Sequence, residues 1–417
     1  MKVYEVGGMV RDKFLGVEPK DYDYCVVGST PEEMLEKGFT QVGKEFPVFI
    51  HPNTKCEYAL ARTERKTGDK HTDFVFDFNK DITIEEDLAR RDFTCNAIAI
   101  DTDTKEVIDP FNGREDIKNQ ILRVVRQDTF AEDPLRVIRL ARFSAQLNFR
   151  IDFMTLHICR CMVEDGMLDH LTPERIFGEF EKALHTKYFS NFIKCMDWTK
   201  ALDVILPEFT TLKVVPEIEA HHPEKNTFAH TLLALEYADK MDYPAYVKFG
   251  LLLHDIGKLV TPEDVLPHHY GHEEAGLEII DKICDRLKVP NDYRKFALQS
   301  CKYHMVMRRL FESKPGHVYD IVEDITNDFR NVLPMNMLFE VSEADLYGRG
   351  KEPSDKRKKE LAESKEIAGN LYSLLFNVTA EDFPELFEEK VDGKRFGELL
   401  RVKKIQYYLD KKSKNNS

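Results

Sequence analysis

A chain of 417 residues is too long for one ordinary hydrophobic core and predicts about two to four domains. Its 42% hydrophobic and 32% charged residues exclude wholesale disorder, and no run approaches about 18 consecutive apolar residues, so no membrane span is expected. A net charge of −14 argues against coating nucleic acid by bulk electrostatics, because phosphate contacts need Lys and Arg, so any nucleic-acid site must be local.

The first 108 residues or so alternate short β-branched or aromatic runs with turn signals: Val3 to Val6, Tyr22 to Val27, Val48 to His51, Tyr58 to Ala61, Phe74 to Phe78 and Cys95 to Ile100. This predicts a mixed α/β domain. The turn cluster Asp109-Pro110-Phe111-Asn112-Gly113 follows, and from there apolar residues recur at helical spacing, as in Leu135, Ile138, Leu140, Phe143 and Leu147. The less periodic stretch Pro207 to Pro223, with His221-His222, predicts a boundary, and a second helical unit runs from about Thr227 to Gly350. A charged helix, Asp355 to Tyr372, leads into the tail. The divisions expected are 1–125, 126–225, 226–347 and 348–417. Eight cysteines without a CxxC pair indicate neither a zinc knuckle nor a disulfide framework; with no signal-peptide pattern at the N-terminus, they predict the reducing cytoplasm.

In Asp21-Tyr22-Asp23 a strand period of two puts both carboxylates on one face. Like charges that close repel, and an oxygen-loving dication between them is the natural resolution, although a lone DxD equally describes a solvated strand start. The preceding Val6-Gly7-Gly8-Met9-Val10-Arg11-Asp12 ends a strand in two glycines and opens a helix, where backbone N–H groups and the helix start favour a phosphate. Arg11, one turn into that helix, can reach the same phosphate with its planar fork. A phosphate cradle shortly before a metal-binding carboxylate pair is the logic of nucleotidyl transfer.

These residues resemble the class II tRNA nucleotidyltransferases, the bacterial CCA-adding enzymes and poly(A) polymerases, with a polymerase-β-like head. Gly7 to Asp12 is similar to that family's GGxVRD, Asp21 to Asp23 to its DxD, Arg90-Arg91-Asp92 to its RRD, and Glu132 to Arg136 to its EDxxR. The resemblance implies Mg2+ at Asp21 and Asp23, triphosphate at Gly8 and Arg11, nucleotide or ribose at Arg91, and the incoming CTP or ATP at Asp133, Arg136, Arg139 and Arg142. A third head carboxylate is expected by analogy, with Glu57 preferred over Asp73 and Asp77. The polar loop Arg65 to His71 is expected to move over the site.

Asp133 before Pro134 reads equally as a helix cap, but Asp133 and Arg136 stand three apart and can present an acceptor and a forked donor to one flat partner. Cytosine and adenine both pair an amino donor with an acceptor. Uracil and guanine place a carbonyl where the amino group would be and leave Asp133 unbonded, which is costly in a desolvated site.

Downstream, the buried-looking run Tyr246 to Leu253 enters His254-Asp255-Ile256-Gly257-Lys258, with His230 before it and His268, His269, His272, His304 and Asp345 after it. A His-Asp doublet at the end of an apolar helix needs partners. Mixed imidazole and carboxylate donors suit a transition metal better than magnesium. This part resembles the HD phosphohydrolases, which implies a divalent ion, Ni2+ for example, at His230, His254, Asp255 and Asp345, with His272 and His304 as further candidates. The implied activities are 2′,3′-cyclic phosphodiesterase, 2′-nucleotidase and phosphatase.

The expectation is therefore an enzyme that adds and repairs the CCA end of tRNA from CTP and ATP, with tRNA bound through its acceptor arm by the helical middle. A poly(A) polymerase, an A-adding enzyme and an HD hydrolase with a degenerate RNA-binding head are the alternatives. A monomer is expected, with a homodimer as the alternative.

Overall fold

The computed structural model describes residues 1–42, 48–66, 74–77, 80–218, 225–329, 333–388 and 392–415. The chain forms two compact units, Met1–Ile205 and Leu206–Ser417. Asp73 and the loop from Thr67 to His71 lie outside the described residues, as do His221 and His222, and nothing is described of the Asp77 side chain.

The first unit opens with β1 (Lys2–Val6), α1 (Gly8–Leu15), β2 (Asp23–Val27), α2 (Pro31–Glu36), β3 (Thr40–Val42), β4 (Val48–Ile50), β5 (Glu57–Leu60), β6 (Thr63–Lys66), β7 (Phe74–Asp77), α3 (Ile84–Ala89), β8 (Ala99–Asp101) and β9 (Val107–Ile108). Seven strands make one mixed sheet in the order β3-β4-β5-β2-β1-β8-β9, while β6 and β7 pair with each other. Alternation along β2 sends Cys25 toward Tyr4, Val6, Leu88 and Ala97 and sends Val26 toward Met34, Phe49 and Leu60, so both faces of the sheet are covered.

The mixed α/β reading of this region holds, with local differences. The strands Thr40–Val42, Thr63–Lys66 and Val107–Ile108 were not expected; they are short, and the first two are too polar to show alternation. The run Cys95 to Ile100 is not a continuous strand. A 3-10 turn occupies Thr94–Asn96, because the Phe93 backbone N–H (2.8 Å) and the Asn96 amide (3.1 Å) both donate to Asp92 Oδ1, and the strand begins only at Ala99.

The rest of the first unit is α4 (Gly113–Asn119), α5 (Gln127–Ala131), α6 (Leu135–Leu147), α7 (Phe153–Glu164), α8 (Pro173–Leu184), α9 (Phe189–Trp198) and α10 (Ala201–Ile205), with a small parallel pair, β10 (Ile121–Leu122) and β11 (Arg150–Ile151). Leu135, Ile138, Leu140, Ala141 and Ala145 of α6 are buried, and α6 packs on α8 and α9.

The second unit is helical among its described residues: α11 (Pro207–Thr211), α12 (Thr227–Lys240), α13 (Ala245–Leu253), α14 (His272–Leu287), α15 (Asn291–Met307), α16 (Pro315–Phe329), α17 (Leu333–Tyr347), α18 (Asp355–Asn377), α19 (Glu385–Glu388) and α20 (Gly393–Asn415). No helix among the described residues is long and apolar enough to cross a membrane.

Candidate functional site

The first unit holds a cavity of about 750 Å³ beside the turn from β1 to α1. Gly7 adopts φ +71°, a left-handed conformation that disfavours side chains, and a Cβ there would lie 3.1 Å from Arg91 Nη1 and 3.9 Å from Asp23 Oδ2. Gly7, Gly8, Arg11, Asp21, Asp23, Arg91, Asp133, Arg136, Arg139 and Arg142 all line this one cavity. Asp21 precedes β2, and Asp23 is its first residue, in register with Glu57 on the parallel neighbour β5. Burial, and then Glu57, raise the Asp23 carboxyl above its ordinary value, as expected where carboxylates converge.

Nine arginines and lysines face four aspartates in the cavity lining, so a chain of net charge −14 concentrates positive charge where a nucleotide would need it. Buried carboxylates hold these guanidiniums in place. Asp87 binds Arg90 (2.6 Å) and Arg91 (3.1 Å), and Asp92 accepts both Nε and Nη2 of Arg139. Burial alone would raise both carboxyls. The arginines outweigh it and hold Asp87 and Asp92 down to about 2. Asn96 links two elements, accepting from Arg11 Nη1 at 2.8 Å while donating to Asp92. Glu179 on α8 receives Arg142 Nε and Lys182 (3.0 Å), and the Arg142 guanidinium sits 3.9 Å from the centre of the Phe143 ring. Each guanidinium has five donors, so anchoring one edge leaves others for a ligand.

Asp133 and Arg136 reach the same cavity but bond separately. Asp133 Oδ1 accepts from the Leu135 backbone N–H at 3.1 Å, although Pro134 rather than Asp133 occupies the cap position of α6, and Arg175 Nη2 lies 3.1 Å from Oδ2. Arg136 is buried and donates to the backbone carbonyls of Thr129 and Arg90. Asp87, Asn96, Arg175, Glu179 and Lys182 were not singled out in the sequence. Glu179 carries a signal after all, as a carboxylate inside the apolar stripe Ile176, Phe177, Phe180, Ala183.

The second unit gathers a histidine-aspartate centre. His230, His254, Asp255, Asp345, His272 and His304 are all buried. His230 Nε2 lies 3.1 Å from Asp345 Oδ1, His272 Nε2 lies 3.2 Å from Asp255 Oδ1, and His272 and His304 face each other through Nε2 at 3.3 Å. Ligand atoms of His230, His254 and Asp345 lie within 4.8 Å of one another, as do those of His254, Asp255 and His304.

All four histidines are oriented alike. The Nδ1 atoms of His230, His254, His272 and His304 face the backbone carbonyls of Gly348 (3.1 Å), Leu251 (2.7 Å), His269 (2.8 Å) and Cys301 (2.9 Å). A carbonyl only accepts, so Nδ1 carries a hydrogen in each, and the Nε2 atoms are the ones turned toward the carboxylates and one another. His254 Nε2 lies 3.2 Å from Asp255 Oδ2, is buried, and has no well-formed hydrogen bond among the described residues. Such an atom is costly unless an electrophile takes its lone pair. His269 does not join the cluster; it bridges Thr261 (2.8 Å) and the Pro216 carbonyl (2.9 Å), and His268 stacks on Tyr270. Lys258, unremarked in the sequence except as the end of the doublet motif, binds Asp255 at 2.8 Å and Glu217 at 2.7 Å.

The centre depends on close backbone packing. A Cβ on Gly257 would fall 2.0 Å from the His272 carbonyl oxygen and 2.6 Å from the Gly276 nitrogen, both backbone atoms at the start of α14. Gly257→Ala is therefore expected to destabilise the second unit by about 3 kcal/mol. Urea unfolding followed by circular dichroism checks this, and an unchanged midpoint would contradict the packing argument.

Comparison with known proteins matches residues 3–123 to the Poly A polymerase head domain, 148–213 to the probable RNA and SrmB- binding site of polymerase A, and 216–337 to the HD domain. A Multifunctional CCA protein of Teredinibacter turnerae is 47% identical over 315 residues, 75% of this chain and 76% of the relative. A Multifunctional CCA protein of Legionella pneumophila is 43% identical over 354 residues, 84% and 86% of the two chains. Among solved structures, the apo form II of a CCA-adding enzyme gives a TM-score of 0.67 at 20% identity, covering 98% of this chain and 88% of that one. The Thermotoga maritima CCA-adding enzyme complexed with tRNA gives 0.64 at 20% identity, covering 98% and 87%. The structural likeness shows a shared fold, and the sequence identity over most of both chains decides the family: this chain belongs to the multifunctional CCA proteins, nucleotidyltransferases with an HD domain.

Proposed function

We propose that this chain adds and repairs the 3′-terminal CCA of tRNA from CTP and ATP, and that its HD unit separately hydrolyses phosphate esters. The observation that carries the first part is the single cavity that gathers the glycine turn, Asp21, Asp23 and the arginines. The relatives are Multifunctional CCA proteins, and similarly folded CCA-adding enzymes are known in complex with tRNA, with ATP and with CTP. The division we propose is a catalytic head, 1–125; a helical neck and body that selects nucleotides and grips the acceptor arm, 126–225; the HD domain, 226–347; and a helical tail, 348–417. Eight free thiols suit the reducing cytoplasm, and we expect a monomer.

Both families imply divalent metals, and the donors fit. Asp21, Asp23 and Glu57 offer only oxygens, the set for Mg2+. His230, His254, Asp255 and Asp345, with His272 and His304 beside them, offer imidazole nitrogen and carboxylate, the set for a transition ion such as Ni2+. When bound, such ions supply neutralisation of the triphosphate at the first site and acidification of water at the second. The chain's own residues do the rest. Gly8 and the start of α1 hold phosphate through backbone N–H groups, with Arg11 and Arg91 beside them. Arg139 and Arg142 add charge along the same wall, and Asp87, Asp92 and Glu179 keep the guanidiniums oriented before a nucleotide arrives. Asp133 accepts the amino donor of cytosine or adenine, and Arg136 donates to the adjoining ring acceptor.

Incubating the protein with tRNA lacking its 3′ end, CTP and ATP, then sequencing the product, tests this reading. Addition of C, C and A supports it; addition of A alone, or no addition, overturns it. Base choice has its own test. Asp133→Ala or Arg136→Ala is expected to lower the preference for CTP over UTP about 30-fold, the worth of ~2 kcal/mol of unsatisfied hydrogen bonding, with a smaller loss of overall catalysis. Incorporation assays showing unchanged selectivity would remove these residues from base recognition.

A further inference from the structure

A second cationic cavity, about 320 Å³, lies within the helical unit, between the end of α15, the end of α17 and the start of α18. Its lining sets Arg308, Arg309, Arg349, Lys356 and Arg357 against two carboxylates, Glu312 and Glu360. Those two are already engaged, Glu312 with Arg309 at 2.9 Å and Glu360 with Lys356 at 3.7 Å. Among the described residues the remaining three guanidiniums have one acid between them. Arg308 Nη1 lies 2.7 Å from Asp345 Oδ2, Arg349 Nη2 lies 3.4 Å from Asp345 Oδ1, and the Arg349 Nε is buried with no hydrogen-bond partner among those residues.

Crowded like charges cost free energy unless an anion sits among them. The first turn of α18, Asp355-Lys356-Arg357-Lys358, also puts cations at the end of a helix that favours anions. Asp345 belongs to the histidine-aspartate centre, so Arg308 and Arg349 touch that centre on one side and the cavity on the other.

We propose that this cavity is an anion subsite of the histidine-aspartate centre and holds a phosphate group of its phosphate-ester substrate through Arg308, Arg349 and Arg357. The proposal rests on the HD unit being a phosphohydrolase. Planar guanidiniums grip phosphate by paired hydrogen bonds, and a cavity of this size admits a nucleotide-sized group. The phosphate can belong to a free mononucleotide or to the end of an RNA.

Two measurements test it. Crystals of the full chain soaked in tungstate should show an anomalous peak among Arg308, Arg349 and Arg357; a peak at the first unit's arginines with none here overturns the proposal. In steady-state hydrolysis, Arg357→Ala should raise KM for the phosphate ester about 10-fold, and the inhibition constant of inorganic phosphate likewise, with kcat within about twofold. Arg357→Lys should recover part of the loss, and CTP and ATP addition to tRNA and the Tm should be unchanged, which excludes misfolding. An equal KM rise for 2′,3′-cyclic AMP and for an oligoribonucleotide ending in a 2′,3′-cyclic phosphate identifies the terminal phosphate as the group held, and a rise for the oligomer alone identifies the preceding phosphodiester. Unchanged KM for both refutes the subsite. If the unaltered protein hydrolyses neither substrate, the phosphohydrolase reading fails by itself, whereas the tungstate map still decides whether the cavity binds an anion.

Discussion

Asp23→Asn is expected to lower nucleotide addition by about 1000-fold, equivalent to ~4 kcal/mol of transition-state stabilisation, without harming the fold. Asp23 begins β2 opposite Glu57, its carboxyl is held above its ordinary value by burial and by Glu57, and its Oδ2 stands beside the Gly7 turn. A carboxyl raised in this way holds its proton more tightly in the folded chain than in the unfolded one, so the stability it lends is present at low pH and is lost as pH rises through its folded value. At neutral pH the ionised group works against folding, and a neutral amide of the same shape relieves that repulsion. The variant should therefore match or exceed the parent in Tm at pH 7 in the absence of metal. Loss of activity together with an equal or higher Tm is the signature of a group kept for chemistry at a cost in stability. Retention of addition to within tenfold, measured with tRNA lacking its terminal A, would move the metal site elsewhere. Glu57→Gln is expected to lose about 100-fold if it completes the oxygen set, again with Tm preserved.

The parts of this site legible in the sequence are those whose chemistry is local. Gly7 and Gly8 announce a turn, Asp21 and Asp23 show a strand period, and Asp133 with Pro134 shows a helix start, all within a few residues. Asp87 holds Arg90 and Arg91 only three and four positions on, but what orients Arg139 and Arg142 is not local: Asp92 holds Arg139 across 47 positions, and Glu179 holds Arg142 from another helix. A lone acid in a helix reads as a solvated charge until its burial is known. The 3-10 turn at Thr94–Asn96 was missed for a related reason, since the apolar run through Ile100 satisfies a strand pattern while two side-chain hydrogen bonds to Asp92 impose the turn. Arg349 stands four positions after Asp345, the spacing of a helical ion pair, whereas Arg308 reaches Asp345 across 37 positions, and spacing gives no sign of that contact.

His254→Ala should abolish phosphate-ester hydrolysis, by at least about 100-fold, and leave nucleotide addition within twofold. His254 is completely buried, its Nδ1 is fixed by the Leu251 carbonyl, and its Nε2 has no well-formed hydrogen bond among the described residues. It belongs to both groups of ligand atoms, with His230 and Asp345 on one side and with Asp255 and His304 on the other, so its removal damages either arrangement. His272→Ala touches neither group and should weaken hydrolysis less. A readout independent of turnover follows from mass action. An ion that binds only the folded chain stabilises it by about 2.7 kcal/mol at one hundred times its Kd. Added Ni2+ should therefore raise the unfolding midpoint of the unaltered second unit and should no longer do so in His254→Ala, with metal content by mass spectrometry falling in parallel. His254→Gln, which keeps most of the side-chain volume, separates this effect from the cavity that alanine leaves. Full hydrolysis of 2′,3′-cyclic AMP by both variants would show that the buried histidines hold the fold together and that the hydrolytic centre lies elsewhere.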